Sequence, residues 1–141
     1  MVLEWCDMKL FVAAKAIIVN EEHKVLIVRE SGDYDEGTNV GRWDVVGGRI
    51  DPAESLFDGL KREVLEESGL EVEPERVITV DDKFQVIKGE DVHIVRIYYL
   101  CRYIGEEVVL SADHDRYEWI TVAECSNYNI MSDVKEVFDL L

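Results

Sequence analysis

Residues 48–70 read GRIDPAESLFDGLKREVLEESGL, and this stretch carries most of the information about the fold. Asp51-Pro52 interrupts regular structure, because the residue before a proline avoids the α region. Beyond the proline, the pattern predicts a helix from about Glu54 to Ser68. Gly69 then suits the left-handed position that commonly ends a helix. We therefore expect a loop followed by a single amphipathic helix.

The predicted helix places acidic residues on the side that should face the protein. On a wheel with about 100° per residue, one stripe is apolar and consists of Leu56, Phe57, Leu60 and Val64. Glu67 falls inside this stripe, and Glu63 and Glu66 flank it. A buried carboxylate needs a partner, because removing an unpaired charge from water is costly. Two interpretations stay open: a solvated acidic face, or a site for a divalent cation such as Mg²⁺ or Mn²⁺.

Apolar and alternating runs predict strands on both sides of this helix. Before the helix, strands are expected at residues 9–19, 25–29 and 43–46, with a polar loop at residues 30–41. After it, strands are expected at residues 76–87, 92–103 and 117–120, and a second helix at residues 132–141. This order predicts the α/β (or α+β) class with a mixed sheet.

The composition limits the class of function. A length of 141 residues predicts one domain, residues 1–141. The formal net charge of −16 argues against nucleic acid as a partner, because a polyanion would be repelled. The sequence has no apolar run long enough to span a membrane and no visible signal peptide. Cys6, Cys101 and Cys125 are scattered, which suits reduced thiols and a cytoplasmic location better than disulfides or a zinc site.

The opening stretch also matches a known signature at fixed spacing. It resembles the Nudix box, G-x5-E-x7-R-E-U-x-E-E-x-G-U with U aliphatic. Every defined position agrees: Gly48, Glu54, Arg62, Glu63, Val64, Glu66, Glu67, Gly69 and Leu70. The resemblance implies a Nudix-type α/β/α sandwich and a hydrolase that splits the diphosphate linkage of a nucleoside diphosphate derivative. It also implies Mg²⁺ as the cofactor, with Mn²⁺ as an alternative.

The resemblance further implies roles for individual box residues. Four are expected to bind the metal: Gly47 through its backbone carbonyl, Glu63, Glu66 and Glu67. Glu54 and Arg62 are expected to form a structural ion pair between the loop and the helix. Gly59 lies on the glutamate face of the wheel, where a missing side chain either leaves room for metal or phosphate or is simply tolerated.

Catalytic residues are expected among the same glutamates and in a later loop. Glu63 and Glu66 are candidates from the box. Nudix enzymes often use a further acid shortly before a strand that contains a tryptophan, and SADHDRYEWI occupies that region here. Asp113 is the first candidate there, as a general base or extra metal ligand, and Asp115 the second. His114 between them is either a loop histidine or a catalytic or phosphate contact.

The substrate is expected to be a small nucleotide, bound by a monomer or a homodimer. Trp43 and Phe84 are the candidate substrate-binding residues, with Tyr34 as a third aromatic that could stack on a base or belong to the core or rim. Val86 stands where ADP-ribose hydrolases carry a proline. The remaining prediction is a MutT-like enzyme that converts normal or oxidised (deoxy)nucleoside triphosphates to the monophosphate and pyrophosphate. ADP-ribose or nucleotide-sugar hydrolysis, and a sensor that binds nucleotide without cleaving it, are the alternatives.

Overall fold

The computed structural model describes residues 7–33, 39–105 and 107–141. Its strands are β1 (Lys9–Val19), β2 (Val25–Glu30), β3 (Trp43–Asp44), β4 (Gly47–Arg49), β5 (Glu71–Ile87), β6 (Glu90–Ile104) and β7 (His114–Ile120). The helices are α1 (Leu56–Ser68) and α2 (Ser132–Phe138), with a 3-10 helix at Val122–Asn127. Within the described ranges, no helix is both long and apolar enough to cross a membrane. Cys6 and Tyr34 lie outside the described residues.

The strands form one mixed sheet of seven strands. The main path runs β3-β2-β1-β6-β5, with β4 paired to β1 and β7 paired to β2. β1 and β6 are parallel, whereas the other pairs are antiparallel. β1 and β2 pair where Val19 meets Val25, and further towards its start β1 pairs with the short β4. The predicted α/β class with a mixed sheet is confirmed.

Helix α1 is bounded by the residues that the sequence indicates. Ser55 caps it by accepting a hydrogen bond from the Asp58 N–H at 3.1 Å, so the helix begins slightly later than predicted. Gly69 has φ 72° and donates its N–H to Leu65 O at 2.9 Å, which ends the helix in the left-handed conformation.

The predicted apolar stripe of α1 is only partly correct. Leu60 and Val64 are buried, but Leu56 and Phe57 in the first turn are exposed. A wheel gives the angle of a side chain around the axis but not how far neighbouring elements extend along the helix. The first turn of α1 is therefore less covered than the turns that follow it.

Two apolar cores cover the two faces of the sheet, because successive side chains of a strand point to opposite faces. On the α1 side, the core includes Ala14, Ala16, Ile18, Leu60, Val64 and Tyr99. On the α2 side, it includes Ile17, Trp43, Tyr98, Val134, Val137 and Phe138. The helices thus pack on opposite faces, which is the sandwich that the resemblance implies.

Several predicted strand boundaries were wrong. The expected strand at residues 43–46 is divided into β3 and β4, which pair with different neighbours. β5 begins at Glu71 rather than Arg76 and passes through Pro74, with a shift of register between Pro74 and Arg76. β5 ends the sheet path, and an edge strand tolerates a proline that lacks an N–H donor.

Candidate active site

A cavity of about 420 Å³ is lined by residues of the 48–70 stretch and by residues of several other elements. One wall is acidic and includes Glu63, Glu66 and Glu67 of α1 together with Asp113. Gly47, Gly48 and Arg49 of β4 lie beside them, and Lys15 comes from β1. The far wall comes from β5, β6 and α2 and includes Lys83, Gln85, Ile94, Arg96 and Asp133. Residues distant in sequence therefore meet on one concave surface.

Glu67 is a largely buried carboxylate of this cavity, as the helical wheel predicts. Its side chain is 12% exposed. Burial raises the pKa of Glu67 to about 8, assisted by the nearby charges of Glu63 and Asp44 and opposed by Lys15 and by a hydrogen bond with the Gly47 backbone. The positive charge near Glu67 is thus too small to offset burial and keep the pKa of this carboxylate at its ordinary value.

Glu63 and Glu66 both accept hydrogen bonds from the guanidinium of Arg62. Arg62 Nη1 donates to Glu63 Oε1 at 3.1 Å and to Glu66 Oε2 at 3.2 Å. Glu66 is exposed, whereas Glu63 is mostly covered, and burial raises the pKa of Glu63. Within the described ranges, no three Asp, Glu, His or Cys side chains are gathered closely enough to hold a metal ion in these rotamers.

Glu54 and Arg62 form a bidentate ion pair between the loop and α1. Arg62 Nε donates to Glu54 Oε2 at 3.0 Å, and Arg62 Nη2 donates to Glu54 Oε1 at 2.6 Å. Glu54 also accepts from the Asp51 N–H at 2.8 Å, and Arg62 Nη2 donates to Arg49 O at 3.2 Å. These hydrogen bonds lower the pKa of Glu54 to about 2, with Arg62 as the main cause.

Gly59 does not provide room for metal or phosphate. A Cβ at this position would lie 2.5 Å from Ile50 Cδ1 and 2.9 Å from Glu54 Oε1. The space beside Gly59 is therefore filled by the loop that packs on α1. This glycine permits close contact between helix and loop, and the interpretation of an open subsite was wrong.

The two glycines of β4 allow close backbone approach. Gly47 has φ 139°, and a Cβ there would lie 2.3 Å from Ala14 O, so no other residue fits without strain. A Cβ on Gly48 would lie 2.6 Å from Glu63 Oε2, so the Glu63 carboxylate rests against the glycine backbone. Gly47 lies opposite Lys15 of β1. The backbone hydrogen bonds between the two segments are made by the neighbouring pairs, for example from the Ala16 N–H to Val46 O. The peptide groups of Gly47 consequently point away from β1.

The two acids expected before the tryptophan strand lie in different places. Asp113 lines the cavity, and its backbone is fixed by a hydrogen bond from the Ser31 N–H to Asp113 O at 2.8 Å. Asp115 instead accepts from Arg29 Nε and Nη2 at 2.7 and 2.9 Å, in an exposed ion pair. Asp115, the second candidate, is thus paired with Arg29 at the surface and does not line the cavity.

His114 is more closely associated with the acidic wall than a loop histidine would be. It begins β7, it is largely buried, and its Nδ1 lies 3.8 Å from Glu67 Oε2. Among the described residues, this Nδ1 has no hydrogen-bond partner. Burial, followed by the charge of Lys15, lowers the pKa of His114.

Neither of the two aromatic residues predicted to bind the substrate lines the cavity. Trp43 is 6% exposed and packs edge-on against Tyr128 in the core on the α2 side. Phe84 is 67% exposed and stacks on His93, but its neighbours Lys83 and Gln85 are the residues of β5 that line the cavity. Because side chains alternate along a strand, Phe84 points to the opposite face.

The site also contains charged residues that the motif does not include. Lys15 and Asp44 form an ion pair at 3.3 Å on the cavity floor. On the far wall, Arg96 binds Asp81 at 2.6 Å and Asp133 at 3.1 Å. The signal available in the sequence is a lysine inside the apolar run AAKAII and an arginine inside HIVRIYY. A charge in an otherwise apolar strand indicates a polar cavity or a buried pair.

The fold and the motif define a Nudix hydrolase, and the chain belongs to that family. The family model described as NUDIX domain matches residues 9–141. Nudix hydrolases act on phosphorus-containing anhydrides and generally use divalent metals. The expected family, enzyme class and fold are therefore confirmed.

Relatives and solved structures agree with this assignment. The chain is 26% identical to nucleoside triphosphatase NudI of Klebsiella pneumoniae (strain 342), across 81% of this chain and 84% of that protein. It is 30% identical to the 8-oxo-dGDP phosphatase NUDT18 of Mus musculus, across 71% of this chain but 28% of that protein. The crystal structure of the MutT protein from Methanosarcina mazei Go1 matches with a TM-score of 0.78 at 27% identity, covering 98% of this chain and 94% of that one.

Proposed function

We propose that this protein hydrolyses normal or oxidised (deoxy)nucleoside triphosphates to nucleoside monophosphate and pyrophosphate. The observation that carries the proposal is the acidic wall of the cavity, where Glu63, Glu66, Glu67 and Asp113 converge. The similarity to NudI, which extends over most of both chains, supports a triphosphate substrate. The partial match to NUDT18 supports oxidised guanine nucleotides as members of the substrate class.

The proposed cofactor is Mg²⁺, with Mn²⁺ as a substitute. The residues fit such a cation, because Glu67 is a buried carboxylate with a pKa of about 8 and gains from an added positive charge. Four residues would hold the cation: Gly47 through its carbonyl, Glu63, Glu66 and Glu67. When bound, a divalent cation screens the charge of the diphosphate and acidifies a water molecule. Carboxylate and carbonyl oxygens are the ligands that Mg²⁺ and Mn²⁺ prefer.

Arg62 has two roles in this proposal. Its Nη2 and Nε hold Glu54, while its Nη1 contacts Glu63 and Glu66. Glu63 and Glu66 would exchange the Arg62 contact for the cation, whereas the Glu54 pair would persist and keep the loop on α1. The helix therefore stays fixed while the two glutamates change partners.

Asp113 is the proposed general base, with Glu63 as the alternative. Asp113 lines the cavity on the same acidic wall as the α1 glutamates, and its backbone is held by the hydrogen bond from Ser31. Glu63 has a pKa raised by burial, which brings it nearer to the pH at which a general base is most effective. Replacing Asp113 and Glu63 separately and recording the pH profile of kcat distinguishes them, with Asp115→Asn as the control.

A substrate panel with Mg²⁺ tests the function itself. Normal and 8-oxo nucleoside triphosphates, ADP-ribose, nucleotide sugars and simple phosphate monoesters are compared, with products identified by mass spectrometry in ¹⁸O-labelled water. The expected result is label in one phosphate-containing product and the fastest turnover with triphosphates. Faster cleavage of monoesters contradicts the proposal. Tight nucleotide binding without any hydrolysis would instead identify a sensor.

A further inference from the structure

Lys15 is a buried cation on the floor of the cavity that the proposed catalytic roles do not use. Its side chain is 13% exposed, and it lines both the main cavity and a smaller adjoining one of about 110 Å³. It projects from β1 at the position that faces Gly47. Lysine is rarely buried unless its charge is matched, so its presence here requires an explanation.

The hydrogen bonds of Lys15 are incomplete within the described ranges. Its Nζ donates to Asp44 Oδ2 at 3.3 Å, which is a long contact, and this is its one hydrogen bond there. A lysine ammonium has three donors, so two remain for other acceptors. Because Lys15 lines the cavity, an acceptor inside the cavity can reach them.

Carboxylates from several elements lie near Lys15. Asp44 accepts a hydrogen bond from its Nζ, and Glu67 and Asp133 line the same cavity. These three carboxylates belong to β3, α1 and α2, so the ammonium lies among acids contributed by three elements. It is a fixed positive charge between the acidic wall and the far wall.

We propose that the Lys15 ammonium binds phosphate oxygens of the substrate. This inference rests on the proposed function, because it requires a diphosphate in the cavity. An anionic substrate is repelled by the carboxylates that line the cavity, and a protein cation beside the reacting phosphates offsets that repulsion. A compact ammonium on a flexible stem suits phosphate as a point charge, without the fixed geometry of a guanidinium.

The test compares Lys15→Met with Lys9→Met, which removes the same charge from the same strand. Lys9 is exposed and pairs with Glu90, outside the cavity lining. The affinity for the α,β-methylene analogue of the best triphosphate substrate is measured calorimetrically with Mg²⁺. Lys15→Met is expected to raise Kd by about tenfold to a hundredfold, because a charged hydrogen bond is lost. Lys9→Met is expected to leave Kd unchanged, and Lys15→Arg to retain part of the affinity.

Two further measurements separate phosphate binding from other roles. The affinity for the nucleoside without phosphates should be the same in wild type and Lys15→Met; an equal loss would place the ammonium at the base and overturn the inference. The affinity for Mn²⁺ alone should be unchanged or tighter in Lys15→Met, because a competing cation is removed. Weaker Mn²⁺ binding that accounts for the whole nucleotide effect would also overturn it.

The controls distinguish failure of this inference from failure of the proposed function. Wild-type protein that neither binds the analogue nor hydrolyses any diphosphate contradicts the proposed function. Wild-type protein that binds and hydrolyses, with Lys15→Met equal to Lys9→Met, contradicts the role of Lys15 alone. If Lys15→Met melts below the assay temperature, Lys15→Gln replaces it, since it keeps a donor for Asp44 without the charge, and the same loss is expected.

Discussion

Glu54 lies in the loop before α1 and is bound by Arg62 and by the Asp51 N–H, whereas Glu67 lies in the last turn of α1, buried beside His114. The first environment lowers the glutamate pKa to about 2, and the second raises it to about 8. Both residues come from one motif, but hydrogen bonds from Arg62 lower the pKa of Glu54, whereas burial raises the pKa of Glu67 in spite of the nearby charge of Lys15. A carboxylate with a complete set of protein partners stabilises the fold, and one without such a set is available to a ligand.

The largest expected effect is loss of turnover in Glu67→Gln. Removing a charged ligand of the proposed cation should lower kcat by about a hundredfold or more, because electrostatic stabilisation is lost. The Tm should stay level or rise, since a buried carboxylate is replaced by a neutral amide. Steady-state kinetics and thermal melts check both, with exposed Glu136→Gln on α2 as the control. Near-normal activity in Glu67→Gln would contradict the role of Glu67 as a ligand of the proposed cation.

The same residue predicts an unusual dependence of stability on pH. The folded-state pKa of Glu67 lies above its unfolded value, so folding favours the protonated form. The free-energy cost of burying the ionised Glu67 is absent below pH 4.5 and grows as pH rises towards 8, by about 1.4 kcal/mol per pH unit. Relative to Glu67→Gln, wild-type protein without divalent cations should lose free energy of unfolding across this interval. Urea denaturation at several pH values measures it, and a constant difference would contradict the shift.

Divalent cations should reverse that loss. A ligand that binds only the folded protein stabilises it by RT ln(1 + [L]/Kd), about 2.7 kcal/mol at a hundredfold excess over Kd. Thermal melts with Mg²⁺ or Mn²⁺, compared with matched ionic strength, should show this gain in wild type and in Glu54→Gln. Glu67→Gln should lose most of it. Equal stabilisation in all three proteins would mean that the cation binds elsewhere.

Glu54→Gln should show the opposite dependence on pH and a smaller effect. The Glu54 pKa is lowered in the fold, so its stabilising contribution is complete above pH 4.5 and is lost as pH falls through about 2. The difference in stability between wild type and Glu54→Gln should therefore shrink between pH 5 and pH 3. Denaturant titrations at these values test it. A difference that grows on acidification would exclude the ion pair as its source.

The smallest effect is expected for Phe84→Ala. Phe84 points away from the cavity and stacks on His93 at the surface. Its removal should leave kcat and KM within about twofold of wild type, because exposed positions away from special contacts change energies little. A Gln85→Ala variant on the cavity side provides the matched comparison. A large rise in KM for Phe84→Ala but not for Gln85→Ala would indicate that Phe84 stacks on the substrate, contrary to its position on the other face of β5.

Local spacing explains how much of this site could be predicted from sequence. The cap at Ser55, the stop at Gly69 and the inward position of Glu67 all depend on residues within a few turns of one helix. The position of Phe84 outside the cavity lining could not be predicted in this way. Whether Phe84 or Lys83 faces the cavity depends on the register of β5, and a shift of one residue exchanges the two faces.

The Nudix family, the helix and the order of its glutamates follow from the amino-acid sequence, because nine residues at fixed offsets and a helical period are properties of the chain alone. The partners of several carboxylates instead depend on how the folded strands are arranged. Asp115 pairs with Arg29, and Lys15 and Asp113 lie with Glu67 in one cavity. These outcomes depend on strands that pair across long separations, and burial and charge at such contacts arise only when the sheet is assembled.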